Sequence, residues 1–164
     1  MTKKVYFITK NKYKLKAMQE SLGRYDISVE NIAIETPEIQ STDCEEVAKF
    51  SAKYIAEKLG KPVLKADAGL FIQSLGDLPG VYTSDFQKKL GAKKVLKLME
   101  DEENRDARIV YSLAYCEPGK EPISFKTGSD GTISHNIQGE EGMLIDFLFV
   151  PKDYNETLGV IKSK

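Results

Sequence analysis

The first apolar run, Val5, Tyr6, Phe7 and Ile8, is rich in β-branched and aromatic residues and predicts a strand over 4–9. The polar trio Thr9, Lys10 and Asn11 then opens a segment in which Leu15, Met18 and Leu22 recur at helical spacing, and Gly23 closes it. A strand that passes through a short polar turn into a helix is the arrangement that points backbone N–H groups at an anion. Ile27, Val29, Ile32 and Ile34 predict a second strand within 26–34, stopped by Thr36 and Pro37. A second helix follows. Thr42 with Glu45, or Asp43 with Glu46, has the spacing of a capping box. Val47, Ser51, Tyr54, Ile55 and Leu59 fall on one face of that helix, and Gly60-Lys61-Pro62 ends it.

The stretch 62–82 organises the rest. Pro62, Val63 and Leu64 predict a buried strand that delivers the lone carboxylate Asp67 to a cleft and then turns sharply at Gly76-Asp77-Leu78-Pro79-Gly80. Gly69 predicts a close backbone approach that a side chain would block. A turn or helix-capping aspartate is the other reading of Asp67 at this point. A single helix is predicted over 84–99 with Leu90, Val95, Leu98 and Met99 buried, then a charged connector over 100–104. The segments 108–115 and 123–127 flank Glu117-Pro118-Gly119-Lys120 and read as a hairpin. Residues 128–133 read as a turn into another short strand. The apolar run 144–150, with Asp146 inside it and Pro151 after it, reads as a last strand. The tail 152–164 is polar and carries no clear element. This order, β-α-β-α-β and then β-rich, predicts a mixed α/β sheet with helices packed on it, in one domain over 1–164.

Charge narrows the partners. With 24 basic and 25 acidic residues in 164, the net charge is −1, so no global field draws the chain to nucleic acid or to an anionic membrane. Any phosphate binding must be local. Cys44 and Cys116 lack metal-type spacing and read as reduced thiols of a cytoplasmic protein, a single disulfide being the alternative. No apolar run approaches the roughly 18 residues of a membrane span, and Met1-Thr2-Lys3-Lys4 leads into a strand-like segment rather than a signal peptide.

Candidate chemistry gathers at predicted element ends. Lys14, on the first turn of a helix, can act as a point charge on a phosphate. Glu38 and Asp67 are hard oxygen ligands suited to Mg²⁺, which takes one or two carboxylates and keeps waters and substrate phosphates. A carboxylate not wholly committed to the metal can activate one of those waters. His135 is the only histidine, and it sits in a polar turn, which argues against a histidine-based triad or a multi-histidine metal site. Lys88, Lys89, Lys93 and Lys94 read as a solvated helix face.

In order along the chain stand Thr9-x-Asn11-x-x-Lys14, Pro37-Glu38-Ile39-Gln40, Glu45-Glu46-Val47-Ala48, Asp67-x-Gly69-Leu70 and Leu78-Pro79-Gly80-Val81-Tyr82. Asn104-Arg105-x-Ala107, Phe125-x-x-Gly128 and Asp146-x-x-Phe149-x-Pro151 follow. The series resembles the inosine triphosphate pyrophosphatase family, most closely its archaeal members, from about Val5 to about Leu158. The resemblance implies Mg²⁺-dependent hydrolysis of ITP, XTP or the deoxy forms to monophosphate and pyrophosphate. It implies an elongated mixed sheet flanked by helices, with two lobes and a cleft between them, and a homodimer. It places Thr9, Asn11, Lys14, Lys53 and Asp146 on the nucleotide, Glu38 and Asp67 on the metal, and Asp67 as the catalytic carboxylate.

Several positions depart from the family pattern. Ala66 stands where a second acidic residue is usual, Ala68 where a serine or threonine is, and Ser51 where many members carry a helix lysine, with Lys49 and Lys53 near. Gly142-Met143-Leu144-Ile145-Asp146-Phe147 replaces Gly-Phe-Gly-Tyr-Asp-Pro, and the sequence ends at Lys164 before a Ser-His-Arg motif. Two alternatives therefore stand beside the pyrophosphatase. One is a lapsed homologue that binds a nucleotide or protein partner without turnover. The other is a pyrophosphatase of altered base preference, such as the related septum-formation-inhibitor type.

Overall fold

The structure, a computed structural model, describes residues 3–164, so Met1 and Thr2 of the amino-terminal reading lie outside it. The chain opens with β1 (Lys3–Ile8), α1 (Lys12–Gly23), β2 (Ile27–Ile32) and α2 (Cys44–Leu59). Then come β3 (Val63–Ile72), β4 (Leu78–Gly80), α3 (Thr83–Lys89) and α4 (Gly91–Leu98). It ends with β5 (Asp106–Cys116), β6 (Ile123–Ile133), α5 (Leu144–Leu148), β7 (Phe149–Pro151) and α6 (Leu158–Ser163). The sheet has seven strands in the order β2-β1-β3-β5-β6-β7, with β4 paired to β3 off that path. It is mixed: β1 pairs in parallel with β2 and β3, whereas β3–β4 and β6–β7 are antiparallel.

Contacts divide the chain into two compact units. One comprises the residues up to Asp67 with Ser112–Lys126, the other Ala68–Tyr111 with Thr127–Lys164. In the first unit, period-two alternation sends Val5, Phe7, Leu64 and Ala66 to one sheet face, where Leu15, Met18 and Leu22 of α1 pack. Ile8, Val63, Ala114 and Cys116 point to the other face and meet Ala48, Ala52, Ile55 and Ala56 of α2. The inward stripe of α2 is Cys44, Val47, Ala48, Ser51, Ala52, Ile55 and Ala56. Tyr54, expected on that stripe, is 40% exposed. The small alanines, not the large tyrosine, define the buried face. Asp43, not Thr42, is the cap, accepting the Glu45 N–H at 2.9 Å, and Gly60 closes the helix in the left-handed conformation at φ 62°.

In the second unit, Leu70 and Ile72 from β3 join Val95, Met99, Ile133, Leu144, Leu148 and Phe149 in one apolar cluster. Arg105 ties its edge together, donating to the carbonyls of Met99, Ile133 and Ser134 at 2.8–2.9 Å. The helix predicted over 84–99 is two helices, because Gly91 takes φ +72° and turns the chain between them. The break leaves Val95 and Met99 buried as expected but turns Leu98 outward, 51% exposed. β6 runs unbroken to Ile133. Gly131, read as part of a turn, is instead a close approach, since a Cβ there would lie 2.1 Å from the Val150 carbonyl oxygen.

The apolar run 144–150 is also a correction: it forms α5 and then the short β7. A short apolar run fits either element, and polar groups decide here. Asp146 Oδ2 accepts the Met143 N–H at 2.8 Å and Gln87 Oε1 accepts the Leu144 N–H at 2.9 Å, which satisfies donors at the start of the helix. The tail contributes α6.

Gly69 does what its position predicted. A Cβ there would sit 2.7 Å from the Gly80 carbonyl oxygen, where β3 and β4 pair. Thr83 fastens the same turn, donating to that carbonyl at 2.6 Å and accepting the Leu70 N–H at 2.8 Å. Gly69→Ala should therefore lose about 1–3 kcal/mol of stability by overpacking, read as a lower urea midpoint at unchanged m. Gly23→Ala, with nothing within 4 Å of the added methyl, is the control and should lose nothing.

Candidate functional site

The first unit gathers the charged groups. β1 ends at Ile8, and the turn after it is shaped by its own side chains: Thr9 Oγ1 accepts the Asn11 N–H at 3.0 Å. Asn11 caps α1, its Oδ1 accepting from the N–H of Tyr13 at 2.9 Å and of Lys14 at 3.1 Å. The cap sets the first turn of α1 and with it the position of Lys14, which is half-buried. Burial pulls the Lys14 ammonium below the usual lysine value, the Asp67 charge opposes that, and Lys65 reinforces it.

Asp67 lies in the middle of β3, not at a strand end: the strand continues to Ile72 before the turn. Its partner from α2 is Cys44. That residue follows the Asp43 cap, is 1% exposed, and holds its thiol against the Asp67 carboxylate in a hydrogen bond. Burial, then the Asp67 charge and that bond, push the thiol up to about 12, so it stays protonated and can only donate. The start of α2 is itself braced. Lys126 Nζ donates to Asp43 Oδ1 at 2.8 Å and Ser124 Oγ to Glu45 Oε1 at 2.6 Å.

Lys65 is the residue that motif reasoning missed. Two positions before Asp67 on one strand, it shares that residue's sheet face, which the period-two rule alone could have signalled. It is half-buried, its ammonium is lowered by burial, and Glu38 and Asp67 attract it. Glu38 itself is exposed, on the loop between β2 and α2, and its charge also reaches Lys14. Lys14, Lys65, Glu38, Asp67 and Cys44 thus form one electrostatic cluster.

Other expected site residues lie elsewhere. Lys53 is ion-paired with Glu121, and its charged neighbours are Glu121 and Glu57. Asp146 belongs to the second unit, buried and bound to Met143 N–H and to Lys162 Nζ at 2.7 Å. Cys44 and Cys116 are both free and buried, and His135 is exposed. A cavity of about 610 Å³ lies wholly within the second unit, lined among others by Phe71, Arg108, Asp130 and Tyr154, and shares no residue with the cluster.

Among the described residues no group of three or more His, Cys, Asp or Glu side chains is gathered to hold a metal. That excludes from the described residues a closed, protein-built centre. Glu38 and Asp67 both act on Lys14 and Lys65, and they are of the donor type taken by an ion that completes its shell with water and substrate phosphate. No helix of the described residues is long and apolar enough to cross a membrane.

A family model described as the Ham1 family matches residues 5–164. The dITP/XTP pyrophosphatase of Methanopyrus kandleri is 41% identical over 154 residues, covering 94% of this chain and 82% of that relative. The inosine triphosphate pyrophosphatase of Aspergillus fumigatus is 41% identical over 133 residues, 80% of this chain and 70% of the relative. The solved structure of the Staphylococcus aureus Ham1 protein is similar in fold, with a TM-score of 0.80 over 96% of this chain and 85% of that one, at 23% identity.

Two half-buried ammoniums have a stability signature. Lys14 and Lys65 both titrate lower in the folded chain than in the unfolded one. The unfolded chain therefore holds more protons just below the ordinary value of 10.5, and stability contributed by these groups rises with pH through that window. Replacing the buried charge removes the cost. Lys14→Met should raise the thermal midpoint at pH 7 by about 2–4 °C, the shift that about 1 kcal/mol produces in a chain of this size. It should also flatten the rise in midpoint toward pH 10. An unchanged or lowered midpoint at pH 7 would contradict the desolvation cost.

Proposed function

The chain belongs to the Ham1 family, and from that membership we propose that it hydrolyses purine nucleoside triphosphates with non-standard bases, such as ITP, XTP and dITP, to the monophosphate and pyrophosphate. The observation that carries the reading is the cluster in which Lys14 and Lys65 share the field of Glu38 and Asp67. Half-buried cations suit a polyphosphate, which neutralises them as it binds. Half-buried and exposed carboxylates beside them suit a hard divalent cation.

Within that reading each residue has a physical task. Thr9 and Asn11 hold the turn that presents the start of α1, and Lys14 reaches from its first turn to the phosphates. The place of Asp67 is set by β3, with the Cys44 thiol beside its carboxylate. Glu38 and Asp67 would hold Mg²⁺. A bound Mg²⁺ supplies charge neutralisation at the reacting phosphate and a lowered pKa for coordinated water. The Asp67 carboxylate accepts a proton from, or orients, the attacking water. Lys53 would reach a nucleotide only by leaving Glu121, and Asp146 would accept from one only beside its present donors. A homodimer follows from the family resemblance.

The test is pyrophosphate release from ITP, XTP, dITP and the common triphosphates, with and without Mg²⁺. Turnover should require the metal, and Asp67→Asn should cut kcat by about 10²–10⁴-fold, the range for losing a positioned acid–base group. Silence on every nucleotide at high enzyme concentration would instead identify a lapsed homologue.

A further inference from the structure

We propose that Lys65 is a second cationic contact for the substrate's polyphosphate chain, working beside Lys14, in the pyrophosphatase reading on which this inference rests.

The placement is strict. In β3, Leu64 and Ala66 point into the core under α1, so Lys65 and Asp67 must both point to the opposite face. The strand is paired with β1 at Leu64, and that pairing fixes the register of both side chains. Lys65 is half-buried on that face.

Its electrostatics are unusual within the molecule. Lys126, Lys53 and Lys120 are each ion-paired with a carboxylate. Lys65 and Lys14 are both half-buried, and Lys65 shares the sheet face of Asp67. The Lys65 charge also acts against the Lys14 ammonium. Such an arrangement raises the free energy of the empty protein and is relieved by an anion that touches both nitrogens. A single carboxylate or one phosphate meets one such cation. A chain of two or three phosphates spans two. The chemical class is therefore an inorganic or nucleotide polyphosphate, with the base playing no part in this contact.

A purely structural lysine, present only to balance Glu38 and Asp67, would behave differently. The discriminating experiment measures binding of inorganic tripolyphosphate by calorimetry, without divalent metal, to the full chain and to Lys65→Met and Lys65→Arg. Turnover with ITP and Mg²⁺ is followed in parallel, and thermal unfolding confirms that each variant is folded. Lys65→Met should weaken tripolyphosphate binding by about 10–100-fold, the loss expected for one charge-assisted contact. It should raise KM by more than it lowers kcat, and Lys65→Arg should restore most of the binding. Unchanged tripolyphosphate affinity in a folded Lys65→Met chain that still turns ITP over would overturn the Lys65 assignment and leave the pyrophosphatase standing. Failure of the unsubstituted chain both to bind tripolyphosphate and to turn over any nucleotide would overturn the two together.

Discussion

Strand β3 must do two incompatible things, and the structure is arranged around that conflict. It lies between β1 and β5 in the sheet, and Val63, Leu64, Leu70 and Ile72 along it are almost wholly buried. A strand so placed should be apolar throughout. Midway, however, it carries Lys65 and Asp67, two charges that burial disfavours. The conflict is resolved locally. The Cys44 thiol gives Asp67 a donor, and the loop bearing Glu38 supplies a counter-charge to Lys65. A cluster only partly satisfied by the protein is what a charged ligand needs to find.

The other elements of the first unit serve this arrangement. The alanines of α2 let that helix approach the sheet closely, which brings its amino-terminal end, and Cys44, to Asp67. Asp43 cannot drift, because it caps the helix and is paired with Lys126. Asn11 performs the equivalent task for α1 and Lys14. Polar residues that a motif reading assigns to the ligand are thus also builders of the scaffold. Removing Asn11 would disturb the helix start as well as any phosphate contact, and a loss of activity at that position would not separate the two roles. The same double duty does not fall on Lys65, which lies within a strand and caps no helix.

In the second unit, small groups decide large features. Gly91 divides what its apolar spacing presents as one helix. Asp146 and Gln87, by accepting two N–H groups, turn a strand-like apolar run into α5. Gly131 sits in an unbroken strand because the Val150 carbonyl comes too close for a side chain. In each case hydrophobic periodicity alone leaves two answers, and one polar contact or one steric limit selects between them.

The sequence by itself made legible the elements with local signals: the first strand and helix, the Asp43 or Thr42 start of α2 and its Gly60 stop, the paired strands β5 and β6, and the tight Gly69 crossing. It also placed Lys14, Glu38 and Asp67 among the groups to watch, through a series of motifs that together carry more than any one of them. Tertiary structure decided the rest. That β3 runs on past Asp67 to Ile72, that Cys44 is the donor to Asp67, that Lys65 shares its face and that Lys53 is turned toward Glu121 depend on which elements pair and pack. The physical reason is range. Caps, turns and periodicity act over a few residues, whereas a half-buried charge takes its meaning from groups that the fold brings to it from distant parts of the chain.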